Sequence, residues 1–334
     1  MFSVAASSAL AVALAAFPMV HNQSMAVATT VFDTKIHLAI QSLDVDAGGR
    51  TIVGSNENGH LFLVDIPTRR LTNLPCDLGA TTVCLSENRQ TVFLGGHGGG
   101  DDTKPGCLAV YDIPKQRVVG LLPLAKFVRR VMKAGAHHVL CLINEDEVVC
   151  VDVSDPARPT IRGPRFTNVL SLITDDQKQP VLLFNNGGLL VTDRKKEFQL
   201  TVPALRCRTS ERIGDELTFG LSQDTPRRMV STNGTVIHLD TEGSGIGRTS
   251  WPLLDRSPLG LYSWGTDWVV CDHENLFVLN DQLRLKAKVS VRIKESSLFA
   301  TTSAFTIIND AAVVVVGKDD GKVVLFTLRR TAKK

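Results

Sequence analysis

The residues best suited to chemistry stand close together in the run LGGHGGGDDTKPGCLAVYDI, Leu94 to Ile113. An imidazole at His97 and carboxylates at Asp101 and Asp102 are donor types that hold metal ions, and the N–H groups of a glycine-rich turn can steady a developing oxyanion. Oxyanion chemistry of that kind also needs a serine on a sharp G-x-S-x-G turn, and the chain has none. Metal binding needs ligands held in a fixed shell, which three groups on a loop of glycines do not provide. No metal and no cofactor is expected here.

The other candidate sites read the same way. GSGIG, Gly243 to Gly247, is followed by WPLL rather than by a helix, so it lacks the context of a dinucleotide fingerprint. His137 and His138 open a strand-like run that turns their rings to opposite faces. The seven cysteines, Cys76, Cys84, Cys107, Cys141, Cys150, Cys207 and Cys271, include no C-x-x-C pair. Most lie in apolar runs such as HHVLCLI, where Cys is a small hydrophobe, and an odd number of them fits a reducing compartment. With 37 Lys and Arg against 34 Asp and Glu, the net charge of +3 is too small for a general nucleic-acid or membrane field.

What must position these residues is a repeat. Seven segments share one frame of apolar run, polar turn and alternating apolar residues ending in a polar one, beginning at Val53, Leu94, Cys141, Leu182, Met229, Val269 and Val315. Each is a hairpin signature. The closing positions Asp65, Asp112, Asp152, Asp193, Asp240, Asn280 and Thr327 are 40 to 47 residues apart. About four short strands per unit at that period is the spacing of propeller blades, and no amphipathic helical pattern competes with it. After KVVLFTL only RRTAKK remains, too short and too charged to finish the seventh unit. The expected missing strand is SMAVATTVF, Ser24 to Phe32, supplied from the other end of the chain, which removes open sheet edges.

From about Ser24 to Arg330 this spacing, with third strands ending V-x-D or VYDI, resembles the WD-repeat propellers. No unit has a Trp-Asp pair, YD at Tyr111 and Asp112 being nearest, and the Gly-His pairs at Gly59 and Gly96 fall in hairpin turns. The expected fold is all-β: a seven-bladed β-propeller over residues 24–330, closed by an N-terminal strand in the last blade. An Ala-rich segment, 1–23, precedes it and a basic tail, 331–334, follows. ALAVALAAFPMV, Ala9 to Val20, has the look of a leader core, with AVA at Ala26 to Ala28 as a cleavage site and sequons at Asn22 and Asn233. No Lys or Arg precedes that core, and it is too short to span a bilayer, so it is read as a segment packed on the domain.

In WD-like blades the hairpin turn and the link to the next blade emerge on one face. The turns here are acidic, at Glu57, Asp101 with Asp102, Glu145 to Glu147, Asp272 with Glu274, and Asp319 with Asp320. The links are basic, at Lys126, Arg129 and Arg130, at Arg208 and Arg212, and at Arg256. Such a mosaic suits docking of a specific protein better than a phosphate backbone. The expected function is a non-catalytic, intracellular scaffold for protein partners in a multiprotein complex. The expected contacts are His97, Asp101, Asp102, Arg129, Arg130, Arg208, Arg212 and Arg256. No small-molecule substrate, nucleic acid or membrane span is expected. An exported propeller binding glycans or receptors, and a propeller hydrolase, are the competing readings.

Overall fold

The computed structural model describes residues 25–76, 78–97, 105–144, 147–174, 180–184, 188–191, 205–206, 217–221, 228–232, 235–239, 245–250, 259–280, 284–292 and 299–331. Among them there is no helix, and so none long and apolar enough to cross a membrane. They form 28 strands in seven antiparallel sheets of four. One strand, β1 (Met25–Asp33), precedes all the sheets in sequence. The first sheet is β2 (Ile40–Val45), β3 (Thr51–Asn56), β4 (Leu61–Asp65) and β5 (Arg70–Leu74); the second is β6 (Gly79–Leu85), β7 (Thr91–His97), β8 (Gly106–Asp112) and β9 (Arg117–Pro123). The third is β10 (Val128–Lys133), β11 (His138–Ile143), β12 (Glu147–Asp152) and β13 (Thr160–Thr167); the fourth is β14 (Val169–Thr174), β15 (Pro180–Phe184), β16 (Gly188–Val191) and β17 (Leu205–Arg206). The fifth is β18 (Leu217–Leu221), β19 (Arg228–Thr232), β20 (Thr235–Leu239) and β21 (Gly245–Ser250); the sixth is β22 (Gly260–Trp264), β23 (Asp267–Cys271), β24 (Asn275–Leu279) and β25 (Leu285–Ser290).

The seventh sheet joins the two ends of the chain. β26 (Ala300–Ile308), β27 (Ala311–Lys318) and β28 (Lys322–Arg330) are followed in space by β1, which runs antiparallel to β28 from Met25 opposite Arg330 to Asp33 opposite Lys322. The strand sought for this place in the sequence is the one found there. Cleavage after Ala28 would remove Met25 to Ala28 from that pairing.

The recurrent polar residues that frame the repeat hold its turns. Asp65 and Asp112 accept from the N–H groups of Thr68 and Lys115 at 2.8 and 2.9 Å, and Asp152 accepts from Ser154 N–H at 2.8 Å. Asp46 accepts from Arg50 and Thr51, and Asp272 from Glu274 and Asn275. These bonds satisfy backbone donors that a tight turn leaves without a ladder partner. Asp65, Asp112 and Asp152, at the ends of β4, β8 and β12, therefore act as turn caps.

The core lies between sheets. Phe93, Leu108 and Val110 of the second sheet meet Val131, Val139 and Val149 of the third; Trp264, Val269 and Val278 of the sixth meet Val314, Val324 and Phe326 of the seventh. Phe32 of β1 joins Ile40, Phe62, Val315 and Val323, so the seventh sheet packs on the first. Burial of each such side chain contributes roughly 1.5–3 kcal/mol. Close approach is set by glycine at two comparable positions. A methyl group on Gly95 would come within 2.6 Å of Val128 and Val131, and one on Gly317 within 2.7 Å of Ile40.

The first strands of the sheets also follow one another in space. β2 lies against β6 and β6 against β10, β14 touches β11 and β18, β18 touches β22, β22 touches β26, and β26 returns to β2.

Candidate partner-binding edge and inner cluster

Sequential antiparallel strands place the second-to-third turns and the links between sheets at one edge of each sheet. The candidate residues on the second and third sheets meet at that edge. His97 ends β7, opposite Gly79 and Gly106. Gly106 in turn abuts the link into the third sheet, for a methyl group there would lie 1.9 Å from the Lys126 carbonyl oxygen. Arg129 and Arg130 follow at once, inside β10 rather than in the link as the sequence suggested. Asp101, Asp102, Arg208, Arg212, Arg256 and both sequons lie outside the described residues.

Arg129 stands on an irregularity that recurs. In the first and second strands of five sheets the register slips by one residue, leaving Gln41, Thr81, Arg129, Leu170 and Thr301 without an opposite number. A bulge of this kind twists the strand and re-aims the residues after it. The residue just after the slip makes a bond to the next sheet. Ser42 accepts from Val83 N–H at 3.1 Å and Thr82 from Val131 N–H at 3.3 Å. Two residues on, Asp44 accepts from Leu85 N–H at 2.8 Å. First strands are sheet edges, and these side chains satisfy N–H groups that have no strand beside them.

The third sheet breaks this pattern. Its equivalents are Arg130 and Met132, and a guanidinium only donates. Neither Arg129 nor Arg130 makes an ion pair or a side-chain hydrogen bond among the described residues, and both are exposed. Arg130 is nevertheless walled by protein. Burial is the main influence on it and lowers its pKa, opposed by the nearby Tyr262, Cys84 and Asp44 of the sixth, second and first sheets.

Around it is a polar set that the sequence did not single out. Tyr262 shares a 2.7 Å hydrogen bond with Ser303, and its ring stacks on Phe305 at 4.8 Å; burial raises the phenol pKa. Asp44 is occupied by the N–H groups of Val45 and Leu85. Lys133 donates to the Leu85 carbonyl at 3.2 Å. TTVCLS and PLGLYSW read as small and apolar in sequence; the visible clue was the repeated hydroxyl at Ser42 and Thr82, 40 residues apart.

The acidic turns are less free than their sequence suggested. Glu147 pairs with Arg165 at 3.0 Å, Asp320 with Lys322 at 2.9 Å, and Glu274 with Arg292. Asp319 accepts from Phe299 N–H. Of the C-terminal run RRTAKK, Arg329 and Arg330 belong to β28. GSGIG lies partly in β21, antiparallel to β20, which rules out a strand-to-helix nucleotide loop there. Among the described residues no group of three or more His, Cys, Asp or Glu is placed to hold a metal. Compared with protein-family models and with curated proteins, the chain matches none.

Proposed function

We propose that the seven sheets are the blades of one closed propeller of WD-repeat type, and that it serves as a non-catalytic, intracellular platform for protein partners in a larger assembly. Closure is supported by the sequence of contacts among first strands and by the apolar layer between the seventh and first sheets. The reducing setting is supported by the free cysteines, buried at Cys84, Cys107, Cys141, Cys150 and Cys271.

One observation carries the binding role. Arg129 and Arg130 are adjacent, exposed and without counter-ions among the described residues on the bulged strand, whereas Glu147, Glu274 and Asp320 at the same edges are already paired. A guanidinium left unpaired and partly desolvated gains most from a carboxylate presented by a partner. The partner segment is therefore acidic. His97, beside the same link, belongs to this surface. The test is affinity purification from the native cells with Arg129→Glu, alone and combined with Arg130→Gln. At least one partner should fall about ten-fold in recovery with the melting temperature nearly unchanged. An identical partner set from both variants sinks the reading.

A further inference from the structure

Outer strands of a sheet expose unpaired N–H and C=O groups, and proteins blunt such edges with charge, proline, irregular register or short length. Six of the seven outer strands do so. β5 is five residues and opens on Arg70; β9 opens on Arg117 and ends at Pro123. β13 carries Arg162, Pro164 and Arg165 and a register shift against β12; β25 carries Lys286 and Lys288. β17 has two residues, and β21 has Arg248 and a register shift against β20.

β1 has none of these devices. It is nine residues long and unbroken in register with β28, with no proline or glycine and no charge before Asp33. Ala26 to Thr29 are exposed in succession, and Val27 and Val31 are 40% and 43% exposed. Apolar and β-branched residues on a straight free edge are a template for another strand.

The sequence of β1 selects that strand. In MAVATTVFD two valines, Val27 and Val31, stand symmetrically about Thr29. In an antiparallel pair of two copies centred there, each Val27 faces Val31 of the second copy and Thr29 faces itself. All of these lie on one face of the joined sheet, as cross-strand β-branched and Thr pairs that stabilise a ladder. Asp33, the one charged residue, faces Met25, so no carboxylate meets its copy. We infer that β1 pairs with β1 of a second copy, two-fold about Thr29, to form an isologous dimer. This rests on the edge alone and does not require the partner reading above.

A single strand pair buries less than a standard interface, so the dimer is weak and is to be sought at about 100 µM. Sedimentation equilibrium of the full chain should give twice the 36.3 kDa chain mass at that concentration and a fall toward 36.3 kDa on dilution. Val27→Lys and Val31→Lys should each abolish the dimer with the melting temperature kept, while Leu121→Lys, at an exposed residue of β9, should leave it intact. Thr29→Cys should oxidise to a covalent dimer in the native state and Met25→Cys should not, which reads the register even if a lysine variant folds poorly. A monomer at 100 µM overturns the inference. So does a dimer that forms only after residues 1–23 are removed, or one that cross-links equally through positions 25 and 29.

Discussion

The guanidinium of Arg330 lies over the indole of Trp264, 4.5 Å from the ring centroid, and donates to the Trp264 carbonyl oxygen at 2.5 Å. The last residue of β28 thereby grips the turn between β22 and β23 in the preceding sheet. From there it also reaches Asp267 at 3.1 Å, a carboxylate only 3% exposed that Lys286 approaches from β25. Trp264 completes the tie by donating to the Asp310 carbonyl at 2.9 Å.

This junction predicts a graded response to mutation. Arg330→Ala, at a half-exposed cation, should cost about 1 kcal/mol. Asp267→Ala leaves Lys286 and Arg330 without their shared anion and should cost about 3 kcal/mol. Urea unfolding monitored by tryptophan fluorescence measures both, and equal losses would contradict the assigned hierarchy.

Arg130 stands where Ser42 and Thr82 carry a bond to the next sheet in their own sheets. Arg130→Thr removes the exposed guanidinium and should lower partner recovery while leaving stability nearly unchanged. Ser42→Ala and Thr82→Val should each lose about 1 kcal/mol. A destabilised Arg130→Thr would show that the arginine itself supports the fold.

Gly95→Val and Gly317→Val test two of the sheet junctions separately. Each added side chain meets a packed neighbour, Val128 and Val131 in one case and Ile40 in the other, at a cost of about 1–3 kcal/mol. The Gly317 variant is the informative one, because Ile40 of the first sheet is the nearest obstacle, ahead of Thr302 of its own sheet at 2.9 Å. An unchanged melting temperature for Gly317→Val would count against closure.

Asp65, Asp112 and Asp152 all have pKa values below the usual carboxylate range. The Thr68 N–H leads for Asp65, the Lys115 side chain for Asp112 and the Ser154 side chain for Asp152. A carboxyl whose folded pKa is depressed contributes stability that is whole above the unfolded value, near 3.9, and is lost as pH falls through the folded value. Stability should thus decline below about pH 4. Asp152→Asn should flatten that decline, as urea midpoints taken from pH 5 to pH 2 would record.

Burial raises the thiols of Cys84, Cys150 and Cys271 to about 12 from an ordinary 9.0. The thiolate fraction falls about a thousand-fold, and access falls with it. In native protein at pH 8 these three should resist Ellman's reagent and should react promptly in denaturant. Rapid native labelling, located by peptide mapping, would contradict the packing between sheets.

Much of the architecture was legible in the sequence because it is local. Alternating apolar residues, an Asp at the end of most third strands and polar turns each act within one hairpin, so their signals sit side by side in the chain. Even the pairing of β1 with β28 could be read, since the seventh unit lacked a strand and Ser24 to Phe32 had no other place. What the sequence could not reveal depends on neighbours 40 or more residues away. The slip that leaves Arg129 unopposed exists only as a relation between two strands. Arg130 looks like any link cation until folding sets it among Tyr262, Cys84 and Asp44. Arg330 reads as one more cation at the end of the last unit until Asp267 and Trp264 meet it. A charge gains its meaning from its solvation and its partners, and both are fixed by packing between sheets, after the strands themselves have been specified.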